Sequence, residues 1–162
     1  FSVIYRNKNK IDKITDLLRF RQLCKLKGIS LFIANNLNLA LLLKADGAYL
    51  SAFNNCLKSL HLKKPNFRII GSAHNLKEIG IKHTQGCDLI LFSKLFEVQY
   101  DKKAPFLGVI KFNNLLKINP NLIPLGGIKL NNLNNLKSVN SLGLALLSEI
   151  KKKPAKIFSR LF

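Results

Sequence analysis

The sequence predicts an α/β protein built on a parallel β-sheet. Short apolar segments alternate along the 162 residues with longer amphipathic segments, which is the pattern of successive βα units. The apolar segments are continuously apolar, as expected for parallel strands that are buried on both faces. Such a sheet forms either a closed (β/α) barrel or an open, doubly wound sheet, and the pattern alone favours neither.

The first half of the chain contains four predicted strands, at residues 1–5, 29–34, 48–50 and 67–71. Helices are predicted at residues 11–27 and 38–44, where apolar side chains recur near helical spacing. Gly28 directly follows the first helix, a position where glycine commonly ends helices. A polar and basic segment separates the third strand from the fourth.

The second half contains three predicted strands, at residues 88–92, 121–125 and 142–147. The predicted helices lie at residues 75–85, 106–118, 131–140 and 154–162. Asn75 suits the N-cap of the first of these helices, and Gly86 ends it. Seven strands therefore alternate with helices. No low-complexity linker divides the chain, so a single domain over residues 1–162 is expected.

The composition narrows the class of protein. The 27 Lys and Arg residues outnumber the 8 Asp and Glu residues, giving a net charge of +19. The lysines are spread along the chain, so we expect attraction of anionic substrates rather than binding of nucleic acid.

No segment approaches the roughly 18 apolar residues of a membrane helix. The first residues lack the pattern of a secretory signal, so a cytoplasmic location is expected. The 3 cysteines fit neither a disulfide framework nor a zinc site.

Ligands of parallel α/β folds bind at the carboxyl ends of the strands. The residues that follow the predicted strands are polar, basic or glycine and include no pair of carboxylates, so they suit an anion. Gly126 and Gly127 could let backbone N–H groups approach a phosphate, or could form a tight turn. Arg6 and Lys8 could clamp a pyrophosphate, or could be exposed side chains after a strand. His74 could transfer a proton, or could lie at the surface as a capping residue.

Five segments resemble the thiamine phosphate synthase/TenI family, in the same order along the chain. Residues 45–47 read Ala-Asp-Gly, residues 71–74 look like the family's Gly-x-Ser-x-His, and residues 126–127 match its Gly-Gly. The five segments are residues 31–40, 45–50, 69–75, 124–128 and 143–150. The resemblance therefore extends from the first residue to about residue 150.

The resemblance implies a (β/α)8 TIM-type barrel, of which this sequence has seven βα units and lacks the first strand. Synthases of this family join a hydroxymethylpyrimidine pyrophosphate to a thiazole phosphate in thiamine biosynthesis. Two alternatives stay open: a metal-independent thiazole tautomerase of the TenI type, or a catalytically silent relative that binds phosphorylated ligands. The expected partners are these small phosphorylated substrates and, as in other family members, a second copy of the chain.

The resemblance also assigns roles to particular residues. His74 matches the TenI histidine that acts as acid and base. The family's metal-binding aspartates fall on Asn36 and Asn54, and amides bind Mg²⁺ less well than carboxylates, so Mg²⁺ is expected only for an active synthase. The predicted substrate-binding residues are Arg6, Lys8, Asn35, Ser72, Lys102, Gly126, Gly127, Leu147 and Ser148.

Overall fold

The computed structural model describes residues 1–6, 12–61, 65–98, 103 and 105–147. These residues fall into two compact units. The first contains residues 1–72 and 76–88, and the second contains residues 73–75 and those from Leu89 onward. Among the described residues, no helix has the length and apolar character needed to cross a membrane.

The first unit has four strands, each followed by helical structure. Its strands are β1 (Ser2–Tyr5), β2 (Ser30–Ala34), β3 (Gly47–Leu50) and β4 (Arg68–Ala73). Its helices are α1 (Ile14–Leu26), α2 (Leu37–Leu42) and α3 (Leu76–Thr84), with a 3₁₀ helix at Lys58–His61. β1 pairs with β2, β2 with β3 and β3 with β4, in every case in parallel. All four residues of β3 are buried, which explains why its sequence is apolar throughout.

Two aspartates of the first unit, each in the turn after a helix, bind the backbone of the strand that precedes that helix. Asp46 precedes β3; its backbone N–H donates to the Leu31 carbonyl at 3.0 Å, and its carboxylate accepts the Leu31 N–H at 2.7 Å. Asp88 makes the same pair of bonds with Ile69 of β4, at 2.8 and 2.7 Å. A carboxylate that accepts a backbone N–H in this way fixes the register at the start of a strand.

The second unit has two parallel strands and two helices among its described residues. These are β5 (Leu89–Ser93), α4 (Gly108–Ile118), β6 (Leu122–Leu125) and α5 (Leu133–Leu136), with a 3₁₀ helix at Leu130–Asn132 before α5. Ser93 at the end of β5 lies opposite Leu125 at the end of β6. Ile90, Phe112 and Leu122 are fully buried and form part of the core of this unit.

The prediction of a parallel α/β fold is confirmed, and six of the seven predicted strands are present among the described residues. The seventh, at residues 142–147, is wrong: this segment is irregular, and Leu142 and Leu147 are 82% and 63% exposed. One backbone bond, from the Ala145 N–H to the Pro124 carbonyl at 3.0 Å, ties it to β6. Its apolar residues lack the two covered faces that a buried parallel strand needs.

The helix predicted at residues 131–140 is much shorter in the structure, where α5 ends at Leu136. Asparagine is abundant in this segment, and its side chain competes with helical backbone bonds. The end of this segment is bound by a side chain of α4: Asn113 donates to the Ser138 carbonyl at 2.6 Å and accepts the Asn140 N–H at 3.1 Å. The helix predicted at residues 154–162 lies outside the described residues.

Candidate functional site

Three polar side chains of the first unit form an amide cluster after β2 and β3, consisting of Asn35, Ser51 and Asn54. The Asn35 side-chain oxygen accepts the Ser51 N–H at 2.9 Å and the Asn54 amide at 3.0 Å. Its amide nitrogen donates to the Ser51 hydroxyl at 3.1 Å. Asn35 has a φ of +56°, a left-handed conformation that asparagine tolerates better than most residues. The cluster lies at the edge of the sheet where the sequence predicts a ligand.

The residues at the family's metal positions do not fit a Mg²⁺ ion. The Asn36 side-chain oxygen caps α2 by accepting the Leu39 N–H at 2.9 Å. The Asn54 side-chain oxygen accepts the Cys56 N–H at 2.9 Å. Both oxygens are neutral and already accept a hydrogen bond, whereas Mg²⁺ is usually held by carboxylates. Within the part of the chain that the structure describes, no three His, Cys, Asp or Glu residues are grouped to hold a metal.

A buried lysine fastens the loop that carries Asn54. Lys82 of α3 is fully buried, and its ammonium donates to the Asn54 carbonyl at 2.7 Å and to the Gln85 side chain at 2.8 Å. The Gln85 amide donates to the carbonyls of Asn54 and Cys56, at 2.8 and 2.9 Å. Burial lowers the pKa of Lys82, partly offset by Cys87 and Glu78. Lys82 and Gln85 together, the lysine clamp, therefore hold the amide cluster from inside the unit.

Ser72, a predicted substrate-binding residue, lies in a buried hydrogen bond of the first unit. The Tyr49 hydroxyl donates to the Ser72 hydroxyl at 2.8 Å, and Ser72 is only 5% exposed. This pair joins β3 to β4 through side chains inside the first unit. A buried hydroxyl with this partner contributes to the packing of the strand end.

The other predicted binding residues have different surroundings. Arg6 directly follows β1 and is exposed. Leu147 is exposed and belongs to the irregular segment after α5. Lys8, Lys102 and Ser148 lie outside the described residues.

In the second unit, His74 lies beside the end of β5. Its Nδ1 is 2.7 Å from the Ser93 hydroxyl oxygen and 3.4 Å from the Ser93 carbonyl oxygen. Gly126 follows β6 with a φ of +92°. A Cβ atom at Gly126 would be 3.5 Å from the Cβ of Ser93 and 3.3 Å from the Cα of Lys94. His74, Ser93 and Gly126 thus form a histidine–serine edge at the carboxyl ends of β5 and β6.

Gly127 is required by packing whether or not it binds a ligand. Its φ is +70°, and a Cβ atom there would lie 2.3 Å from the Phe96 carbonyl oxygen. The Gly127 carbonyl accepts the Asn132 side-chain amide at 2.8 Å, which ties the glycine turn to the next 3₁₀ helix. The interpretation of Gly126 and Gly127 as a tight turn is therefore confirmed, and the phosphate-binding role stays a prediction.

Sequence reasoning did not select Lys82 or Gln85, and it included Ser93 only among the polar residues that follow predicted strands. Ser93 gave one weak signal, because it is a polar residue at the end of an apolar strand. Lys82 and Gln85 gave none, because a lysine and a glutamine near the end of a helix normally face solvent. Only the fold brings Lys82 against Asn54, 28 residues earlier in the chain.

Two comparisons with known proteins agree on one family. A family model described as thiamine monophosphate synthase matches residues 1–150. The thiamine-phosphate synthase of Prochlorococcus marinus (strain AS9601) is 34% identical over 142 residues, which are 86% of this chain and 40% of that protein. The enzyme of the same name from Clostridioides difficile (strain 630) is 26% identical over 138 residues, 83% of this chain and 65% of that protein.

A solved structure supports the same fold. Thiamine phosphate pyrophosphorylase from Pyrococcus furiosus superposes with a TM-score of 0.74, covering 98% of this chain and 81% of that chain, at 18% identity. The chain spans 40% to 43% of the length of the Prochlorococcus marinus relatives it matches. Because the family model matches residues 1–150 of the 162, the chain belongs to the thiamine monophosphate synthase family.

Proposed function

We propose that this protein acts in thiamine biosynthesis by joining a hydroxymethylpyrimidine pyrophosphate to a thiazole phosphate. The observation that carries the proposal is the family match over residues 1–150, which includes both the amide cluster and the histidine–serine edge. The curated relatives carry synthase names, so the tautomerase and the silent binding protein are not favoured.

The reaction places two demands on the chain. It releases pyrophosphate, so positive groups must stabilise the charge of the leaving group, and the thiazole phosphate must be held in line with the pyrimidine. Arg6, an exposed cation directly after β1, is proposed for the first task. Backbone N–H groups of the Gly126–Gly127 turn suit the second. Lys8, Lys102 and Ser148 remain predicted contributors from outside the described residues.

No step of the proposed reaction uses Mg²⁺ at Asn36 and Asn54. Their side-chain oxygens already accept backbone N–H groups and carry no charge. The positive charge for the pyrophosphate would therefore come from arginine and lysine side chains.

We also infer that the βα units belong to a (β/α)8 barrel of one domain, as the family resemblance implies. The superposition on the Pyrococcus furiosus protein over 98% of this chain supports a shared fold. Self-association stays a prediction, which light scattering of the purified chain would test.

The direct test is a synthase assay on the full chain with both substrates, paired with calorimetric titration of each substrate. We expect thiamine phosphate to form, and Arg6→Gln to weaken binding of the pyrimidine pyrophosphate, because Arg6 is the residue proposed to stabilise the leaving group. Arg19→Gln is the matched control, because Arg19 is an exposed arginine of α1 and should leave binding unchanged. Failure of the chain to bind either substrate, with and without Mg²⁺, would contradict the proposal.

A further inference from the structure

Backbone donors fix which way the two asparagine side chains of the amide cluster point. The Ser51 N–H donates to the Asn35 side-chain oxygen at 2.9 Å. The Cys56 N–H donates to the Asn54 side-chain oxygen, also at 2.9 Å. Because a backbone N–H can only donate, the atom that it meets in each side chain must be the oxygen, and flipping either amide would place two donors against each other. The positions of the two side-chain nitrogens are therefore determined.

The hydrogen bonds inside the cluster leave protons, rather than lone pairs, for a ligand. The Asn35 side-chain oxygen also accepts the Asn54 amide at 3.0 Å, and the Ser51 hydroxyl oxygen accepts the Asn35 amide at 3.1 Å. Each amide nitrogen carries two protons and donates one of them within the cluster, and the Ser51 hydroxyl accepts there without using its own proton. Each of these side chains therefore keeps a proton for a ligand. Asn35 is exposed, and the other two are half-buried, so a ligand can reach the cluster from solvent.

A buried positive charge lies behind the cluster. Lys82 is fully buried, and its ammonium donates to the Asn54 carbonyl at 2.7 Å and to the Gln85 side-chain oxygen at 2.8 Å. Both acceptors are neutral, so neither bond cancels the charge of the ammonium. Water screens a buried charge less than an exposed one. The lysine therefore favours an anion over a cation at the cluster.

We infer that the amide cluster is a metal-independent anion site, in which the protons of Asn35, Ser51 and Asn54 bind phosphate oxygens directly. The family resemblance places metal-binding aspartates at Asn36 and Asn54, where the side-chain oxygens already accept backbone N–H groups. Hydrogen-bond donors thus take the place of a metal ion beside the phosphate. The identity of the anion as the diphosphate of the pyrimidine substrate rests on the proposed function, whereas the binding of an anion does not.

Calorimetric titration of the full chain with inorganic pyrophosphate, in the presence of EDTA and about 0.15 M salt, tests the inference. The salt screens weak attraction by the exposed lysines. We expect pyrophosphate to bind without a metal ion. The Kd should rise roughly 10-fold or more in Ser51→Ala and in Asn54→Ala, because each variant loses a hydrogen bond to a charged ligand. Asn54→Asp should raise it further, because a carboxylate repels the anion.

Two features of these variants separate loss of binding from loss of fold. Ser51→Ala keeps the backbone N–H that binds the Asn35 side chain, so the cluster can stay folded without the hydroxyl. Urea midpoints of each variant check this directly. Asn134→Ala is the matched control, because it removes an exposed amide from α5 in the second unit and should leave the Kd unchanged.

Proton–nitrogen NMR of the side-chain amides shows where the anion binds. The Asn54 amide signals, identified by their absence in Asn54→Ala, should shift as pyrophosphate is added, and those of Asn134 should not. Absence of pyrophosphate binding, binding that needs Mg²⁺, or binding that leaves the Asn54 signals unmoved would overturn the inference.

The same measurements distinguish this inference from the proposed function. Metal-free binding through the cluster, in a chain that makes no thiamine phosphate, would support the anion site and contradict the proposed synthase reaction. Formation of thiamine phosphate by a chain that binds pyrophosphate only with Mg²⁺ would support the synthase reaction and overturn the anion site.

Discussion

The Arg21 guanidinium of α1 and the Asp46 carboxylate before β3 form a bidentate ion pair, with N–O distances of 2.8 and 3.0 Å. Arg21 also donates to the Lys44 carbonyl at 3.0 Å, and Asp46 also accepts the Leu31 N–H at 2.7 Å. Arg21 is 8% exposed. One pair of side chains thereby joins a helix, a strand and the turn before the next strand. Asp46 is the aspartate of the Ala-Asp-Gly segment that resembles the family, so this segment stabilises the fold.

Asp46→Asn should make the protein less stable at neutral pH. It should also reduce the amount by which the free energy of unfolding falls in acid. Burial raises the pKa of Asp46, but the Leu31 N–H and Arg21 outweigh it, so the pKa lies below the usual 3.8. A lowered pKa contributes stability above pH 3.8 that is lost as the pH falls through the folded-state value. We expect a loss of about 2 kcal/mol in the free energy of unfolding at pH 7, measured by urea denaturation.

Glu97→Gln is the control for this change, because Glu97 is an exposed carboxylate. It should alter stability by less than about 0.5 kcal/mol. If the urea midpoint of the wild-type protein were the same at pH 3 as at pH 7, this result would contradict the role of Asp46.

Gly127→Ala should destabilise the second unit strongly. Alanine at a φ of +70° is strained, and its Cβ would lie 2.3 Å from the Phe96 carbonyl oxygen. We expect a cost of at least about 2 kcal/mol, seen as a lower urea midpoint. Gly80→Ala is the matched control: Gly80 lies in α3 with open space around it, so alanine should add up to about 1 kcal/mol of stability. Equal midpoints for the two variants would refute this account of Gly127.

Lys82→Met should loosen the loop that carries the amide cluster. The methionine keeps the apolar stem but leaves the Gln85 side-chain oxygen without the ammonium that now binds it at 2.8 Å. The expected cost is about 1–3 kcal/mol, with faster amide hydrogen exchange at residues 51–57. Lys77→Met, at an exposed position of the same helix, should change neither stability nor exchange. Undisturbed exchange in Lys82→Met would show that the clamp does not hold the loop.

Introducing carboxylates at the two family metal positions should raise the affinity for Mg²⁺, because carboxylates bind this ion better than amides. Asn36→Asp retains a cap for α2, because a carboxylate can also accept the Leu39 N–H. Asn54→Asp supplies the second charge. Calorimetry should detect Mg²⁺ binding only in the double variant, with each single variant as a control. Tight Mg²⁺ binding by the wild type that Asn54→Ala abolishes would contradict our interpretation.

The sequence predicted β1 to β6 to within about two residues, because each is a short, continuously apolar segment bounded by turn residues. Residues 142–147 have the same composition, but composition reports a tendency to be buried and cannot say whether neighbouring strands will cover both faces. The candidate site was likewise predicted only in part. His74 and the Gly126–Gly127 turn follow strands, so chain order reveals them. The lysine clamp depends on partners up to 31 residues apart, which only the packed fold brings together.

Gly71 of β4 lies directly against the lysine of the lysine clamp. A Cβ atom at Gly71 would be 2.9 Å from the Lys82 Cδ and 2.9 Å from the Cys87 sulfur, so the lysine stem occupies the space that a side chain would need. The two positions are therefore not free to diverge independently among descendants of this protein. A lineage must first make room at residue 82 and beside Cys87 before residue 71 can accept a methyl group, and the opposite order passes through a destabilised intermediate. Such an order of substitution would be visible as epistasis in a reconstructed ancestral series.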